Sequence, residues 1–174
     1  SAPSYVNGMD SGTFITWVDV SAGEKHNIGM SITGRIYTWG ASESGQIGLA
    51  KEGVSAYTIP GRVLDTVTEP AISVAASFKS SFVIFNNRTG YSWGSNTMGE
   101  LGSSTSISMV KTPTIISVLN GKNPKSISSG AFSRSVYADL SSSVVAWGDN
   151  TKGQFGIGST GSKYTAVTVV SPSS

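Results

Sequence analysis

Apolar residues in this chain alternate with polar ones at a spacing of two, in short runs that return three times. Ile28, Met30 and Ile32 form one such run, Phe82 and Ile84 a second, and Val136, Ala138 and Leu140 a third. Period-two spacing is the mark of a strand with one face on a core. Each run is followed by a turn and a second strand that places Tyr37 with Trp39, Tyr91 with Trp93, and Val145 with Trp147 on one face. Each is preceded by a short strand ending in small residues, over 18–23, 72–77 and 125–130. Segments 58–63, 112–116 and 165–169 supply a fourth strand per unit. No window carries the 3.6-residue period of a helix.

The units are copies of one another. Trp39, Trp93 and Trp147 each open a W-G-x-[SN]-x-x-G-[QE]-[ILF]-G motif, so that Gly40, Gly45 and Gly48 recur as Gly94, Gly99 and Gly102 and again as Gly148, Gly153 and Gly156. The tryptophans stand 54 residues apart in both steps. Counted back from them, Ile28, Phe82 and Val136 are equivalent, as are Met30, Ile84 and Ala138. Four-stranded units at this period predict propeller blades. The expected fold is all-β: β-propeller-type blades, three four-stranded repeats of about 54 residues, in a partial or open propeller. Residues 1–13 read as an N-terminal extension and 14–174 as the three-repeat domain, with repeats over about 17–69, 70–122 and 123–171.

Small-residue strand, apolar strand and Trp-Gly motif together resemble the regulator of chromosome condensation repeat, over roughly residues 14–170. His26 falls where that family often carries histidine, with Ser80 and Ser133 near the matching points of the other repeats; Ser77 stands where glycine is usual. Well-known members close seven blades into a ring and act as guanine nucleotide exchange factors or protein-interaction platforms, and the founding member binds chromatin. Three blades do not close a ring. The resemblance therefore implies a piece of a longer chain, copies that associate, or open blade faces docked on another protein. The partners expected are proteins, or further copies through the open faces.

Charge and composition narrow this further. Twelve Lys and Arg face ten Asp and Glu, for a net charge of +2 with 13% charged residues. That surplus is too small to argue for nucleic acid, and no basic tail is present. No apolar run reaches the length of about 18 residues that a membrane helix needs, so no membrane insertion is expected. The absence of cysteine excludes disulfides and thiolate metal sites. Residues 1–4 lack the basic and apolar regions of a signal peptide, which fits a removed signal, an excised fragment or a start after initiator methionine removal alike.

The residues that draw attention are weighed as follows. Trp39, Trp93 and Trp147, recurring once per unit, are expected to fill the space between blades rather than stack a ligand. The paired glycines are expected to serve tight loops through positive φ or close backbone approach. Trp17 has no counterpart in the other repeats and, with Tyr57 and Tyr164, is the candidate contact surface. Residues 156–161 spell G-x-G-x-x-G, without the strand, helix and acidic partner of a dinucleotide site. His26 has no cysteine or nucleophile-elbow serine to work with, and a structural role is expected of it. Glu24, Glu43, Asp65, Glu100, Asp139 and Asp149 are scattered carboxylates, and Asn87-Arg-Thr89 is a glycosylation sequon at a turn. No catalytic, cofactor-binding or metal-binding residue is expected, and the chain is read as a non-enzyme.

The function expected from these features is a non-catalytic structural or protein-interaction subunit. Its low charge and abundant Ser, Thr and Gly suggest an exposed component of a larger assembly, such as a virion decoration or tail protein or a surface adhesin. A virion or extracellular location is favoured on that basis. The alternatives are a segment of an intracellular protein-binding propeller, exchange-factor-like, and a carbohydrate-binding module using Trp17, Tyr57 or Tyr164.

Overall fold

Three antiparallel four-stranded sheets follow one another along the chain, each strand hydrogen-bonded to the next in sequence. A computed structural model describes residues 6, 8–10, 12–51, 53–103 and 106–169. A two-stranded ribbon comes first, β1 (Met9–Asp10) against β2 (Thr13–Phe14). Blade 1 comprises β3 (Trp17–Ala22), β4 (His26–Ser31), β5 (Ile36–Ala41) and β6 (Ala56–Val63). Blade 2 comprises β7 (Ala71–Ala76), β8 (Ser80–Phe85), β9 (Gly90–Ser95) and β10 (Met109–Ile115). Blade 3 comprises β11 (Ser126–Ser129), β12 (Ser135–Asp139), β13 (Val144–Gly148) and β14 (Lys163–Thr168). The fold is all-β, and none of these sheets is closed on itself.

The period-two pattern does its work between blades. On β8, Val83 and Phe85 turn towards blade 1, where they join Ile28, Met30, Ile36 and Val63. Phe82 and Ile84 turn the other way and pack with Ile127, Val136, Ala138 and Val145 of blade 3. A strand buried on both faces reads as a continuous apolar run, and every residue of β8 is buried. The first strands of the blades lie side by side and are laced together. Ser21 Oγ accepts the Ala76 N–H at 2.9 Å, and Ser73 Oγ accepts the Ile127 N–H at 3.1 Å.

Pairing corrects the alignment obtained by counting back from the tryptophans. Gly40 pairs with His26, Gly94 with Ser80, and Gly148 with Ser135. The counterpart of Ile28 and Phe82 is therefore Tyr137, not Val136, and that of Met30 and Ile84 is Asp139, not Ala138. Hydrogen bonding agrees, since the Ser80 hydroxyl donates to Ser95 O at 2.7 Å and the Ser135 hydroxyl to Asp149 O at 2.6 Å. It is likewise Ser135, not Ser133, that stands at the His26 position. The cause is a pair of opposed length changes. The turn before β12 runs over residues 130–134, against 77–79 before β8. The following hairpin pairs Asp139 with Val144, where blade 2 spans one residue more from Ile84 to Gly90. A one-residue slip exchanges the two faces of a strand.

Candidate functional site

Between blades the repeated motif makes one recurring lock. The indole N–H of Trp93 donates to Gln46 O of blade 1 at 2.9 Å, and that of Trp147 to Glu100 O of blade 2 at 2.9 Å. Both rings are fully buried. The loop that offers the carbonyl must let the indole lie on its backbone. A Cβ at Gly48 would stand 2.8 Å from Trp93 Nε1, and one at Gly102 2.7 Å from Trp147 Nε1, so only glycine fits there. The same loop is held by its own side chains. Gln46, Glu100 and Gln154 accept the backbone N–H two residues earlier, at 2.8, 2.7 and 2.8 Å. Asn96 and Asn150 accept the N–H of Leu101 and Phe155. Each motif position thus has a structural task.

The two ends of the stack depart from this pattern, each in its own way. Trp39 stands in the first of the described blades and is only half-buried. Its ring lies 5.4 Å from that of Trp17, which also meets Tyr37 edge-on at 5.5 Å. Trp17 thus packs on the first blade's face, in space opened by Gly29, and stays half-exposed. Residues of the N-terminal segment follow it. The Trp17 indole donates to Val6 O, and the Asp10 carboxylate accepts from Arg35 and from the Tyr37 hydroxyl. Val18 and Val20 on β3 remain exposed. At the other end, where blade 2 presents Ala75, Phe82 and Ile84, blade 3 presents Ser128, Tyr137 and Asp139. No indole reaches Gln154 O; the Tyr137 hydroxyl donates to it instead, at 2.8 Å, with its ring edge-on to Phe155. A Cβ at Gly156 would meet nothing within 4 Å.

His26 and Ser81 have the spacing of a dyad but not its access. His26 Nε2 and Ser81 Oγ are 3.0 Å apart. The Ser81 hydroxyl donates to Gln46 O at 2.8 Å, so its oxygen accepts from an Nε2–H and the bare Nδ1 is left without a partner. Both residues are buried, and Gln46 O is thereby a node for Trp93 and Ser81 together. Burial lowers the His26 pKa from 6.5 to about 4, keeping the ring neutral. The arrangement ties blade 1 to blade 2 and offers no route for a substrate.

The other candidates are dispersed. Asp139 and Asp149 close their own turns, Asp65 pairs with Arg62, Glu24 lies 4.0 Å from Lys79, and Glu43 is exposed. Among the described residues no three His, Cys, Asp or Glu side chains gather as metal ligands. Residues 156–161 run through the loop before β14, and Asn87 is exposed at the β8–β9 turn, accepting the Thr89 N–H. The Tyr57 hydroxyl is buried without a hydrogen-bond partner. The Tyr164 side chain lies outside the described residues.

One surface feature had no place in the sequence reading. The turns entering the second strands of the blades meet along one rim. Glu24 N–H donates to Phe78 O at 3.1 Å, and Phe78 N–H to Ser133 O at 3.0 Å. Lys25, Lys79 and Arg134 occupy the same position in successive blades, since the carbonyl of each accepts the N–H of Ala41, Ser95 and Asp149 in turn. Lys79 Nζ lies 5.2 Å from the Phe78 ring centroid and the Arg134 guanidinium 4.9 Å from it. Phe132, in the longer third turn, is 81% exposed. The signal for this rim was present in the unequal turn lengths, but the constant spacing of the tryptophans hid it.

With this geometry in view, the family is settled by comparison. Models of the regulator of chromosome condensation (RCC1) repeat match residues 17–46, 33–84 and 91–133, and the chain belongs to this repeat family. It is similar to the probable E3 ubiquitin-protein ligase HERC6 of Homo sapiens, at 32% identity over 148 residues, 84% of this chain and 14% of that protein. It is also similar to protein pim1 of Schizosaccharomyces pombe, at 30% identity over 145 residues, 79% of this chain and 26% of the relative. Among solved structures, Prp20p of Saccharomyces cerevisiae superposes with a TM-score of 0.76 at 19% identity, over 92% of this chain and 40% of that one. Human WBSCR16 superposes with a TM-score of 0.74 at 18% identity, over 87% and 37%. The chain therefore spans a minor part of each relative. The structural likenesses establish the fold, that of propeller blades of the RCC1 type.

Proposed function

We propose that this chain is a non-catalytic protein-binding module, a rigid stack of RCC1 blades that presents loops to a partner protein. The observation that carries this is the division of labour just described. Where two blades meet, the motif residues and the His26–Ser81 contact are consumed in holding them together, while the rim loops carry the exposed Lys25 and Phe132 beside the half-exposed Lys79 and Arg134. Binding residues on loops set by a rigid scaffold are the common arrangement. Prp20p is described by its binding to Gsp1p and histones, which supports protein partners as the class. The ligase activity in the name of HERC6 belongs to a protein of which this chain covers a seventh. An exchange-factor-like role is the finer alternative. Placement in a virion, a tail or an adhesin, and a virion or extracellular location, keep only the support of composition.

The test is retention of a protein from an extract of the native host by the immobilised chain, at near-stoichiometric yield and after nuclease and glycosidase treatment. Retention is expected, with no acceleration of nucleotide release from a captured GTPase. Recovery of nucleic acid or glycan alone would overturn the protein-binding reading, and accelerated release would overturn the non-catalytic one.

A further inference from the structure

We infer that the rim formed by Lys25, Phe78, Lys79, Phe132 and Arg134 binds an acidic segment of a partner protein, taking a carboxylate between the cations and an apolar side chain on Phe132. The inference rests on the protein-binding reading above and names the chemistry of the partner. Three observations support it. The cations are set one per blade at equivalent positions, and backbone bonds between adjacent turns fix their spacing, so little ordering remains to be done on binding. Phe78 already lies under Lys79 and Arg134, which holds the guanidinium over a ring and leaves its fork for an incoming carboxylate. Among the described residues Phe132 is the most exposed of the large apolar side chains, and it adjoins the depression that also involves Phe78, Arg134 and Gln154. Arg and aromatic residues are the types that anchor protein interfaces.

The carboxylates facing the rim decide between partner classes. Glu24 stands 4.0 Å from Lys79, and Asp149 adjoins Arg134 in the depression. Affinity for a phosphate backbone grows with the number of phosphates that cations neutralise, and these two acids offset two of the three cations. A short acidic segment can place its charges between them.

The experiment is a titration of the ¹⁵N-labelled full chain with a synthetic dodecapeptide in which Asp–Glu pairs flank single Leu and Phe residues. Controls are the same peptide with lysine at the acidic positions and a twelve-nucleotide oligothymidylate. Saturable binding of the acidic peptide is expected, with amide shifts confined to residues 24–25, 77–80 and 130–135. Arg134→Glu should weaken it about tenfold or more. Phe132→Ala, at a position too exposed to disturb folding, should weaken it several-fold. Shifts elsewhere, equal binding of the lysine peptide, binding unmoved by both variants, or tighter binding of the oligonucleotide at these amides would each overturn the inference. If the chain still retains its host protein while the peptide fails, the inference falls and the protein-binding reading stands.

Discussion

Removing an interblade indole should cost far more than removing the indole at the end of the stack, although all three tryptophans occupy the same motif position. The Trp147 ring is fully buried and its N–H is bonded to Glu100 O. Burial of a large aromatic side chain covers about 150–250 Å², worth roughly 4–6 kcal/mol at about 25 cal/mol per Å². Residual compactness of the unfolded chain trims that figure, and aromatic-to-alanine changes in cores cost about 3–5 kcal/mol. Trp147→Ala should therefore lose about 4 kcal/mol, and Trp93→Ala, which strips a second partner from Gln46 O, at least as much. Trp39 is half-buried, and no hydrogen bond to its indole is found among the described residues. Trp39→Ala should lose only about 1–2 kcal/mol. The assay is equilibrium urea unfolding followed by far-ultraviolet circular dichroism. With a slope of about 2 kcal/mol per M, the midpoint should fall by about 2 M for Trp147→Ala and by less than about 1 M for Trp39→Ala. Equal shifts for the two would refute the claim that the tryptophan acts through the preceding blade's carbonyl.

Three other outcomes are expected. Because burial sets the folded His26 pKa at about 4, below the unfolded 6.5, its contribution is complete above pH 6.5 and is lost as the pH falls towards 4; the loss should reach about 3 kcal/mol. Urea midpoints measured across that window should fall for the parent and stay flat, from a lower start, for His26→Ala. Glu100→Gln should leave stability within about 0.5 kcal/mol, since Gln46 and Gln154 make the same turn-closing bond in the other blades; a loss above about 2 kcal/mol in thermal unfolding would show that the carboxylate has a task of its own. Ser128→Ala, Tyr137→Phe and Asp139→Ile together rebuild on blade 3 the face that blade 2 presents with Ala75, Phe82 and Ile84; the triple variant should self-associate in sedimentation velocity where the parent does not.

How far the sequence reached can be traced through particular residues. Motif offsets revealed the blades because each of their positions answers to a backbone demand: Gly48 and Gly102 must admit an indole, and Gln46 must close its turn. Strand alternation located the core of blades 1 and 2 for the same reason. The third blade misled, because a longer turn over 130–134 is offset by a shorter hairpin and a shorter connection from Trp93 to Ser128, which leaves Trp147 in step with Trp93. That slip set Val136 and Ala138 level with Phe82 and Ile84, when they face them across the blade 2–blade 3 interface, and it concealed the polar face of Ser128, Tyr137 and Asp139. Trp17 stood out as a residue without a repeat counterpart; strand pairing puts Ala71 of β7 at its position. Its ring, however, packs on Trp39 and Tyr37. The rim was not legible, since Lys25, Lys79 and Arg134 fall into register only once the strands are paired.

On the proposal made above, these blades offer their rim, not their outer faces, to partners. Ser128 and Asp139 make the last face polar, Tyr137 occupies its free carbonyl, and Trp17 with the N-terminal segment covers part of the first. A polar face disfavours stacking of a further copy through it. Light scattering of the unmodified 174-residue chain over a wide concentration range tests this most directly. A constant mass near 18.0 kDa is the result the account requires. A mass that climbs with concentration to a defined multimer, and that falls back on replacing Trp17 or Tyr137, would contradict it.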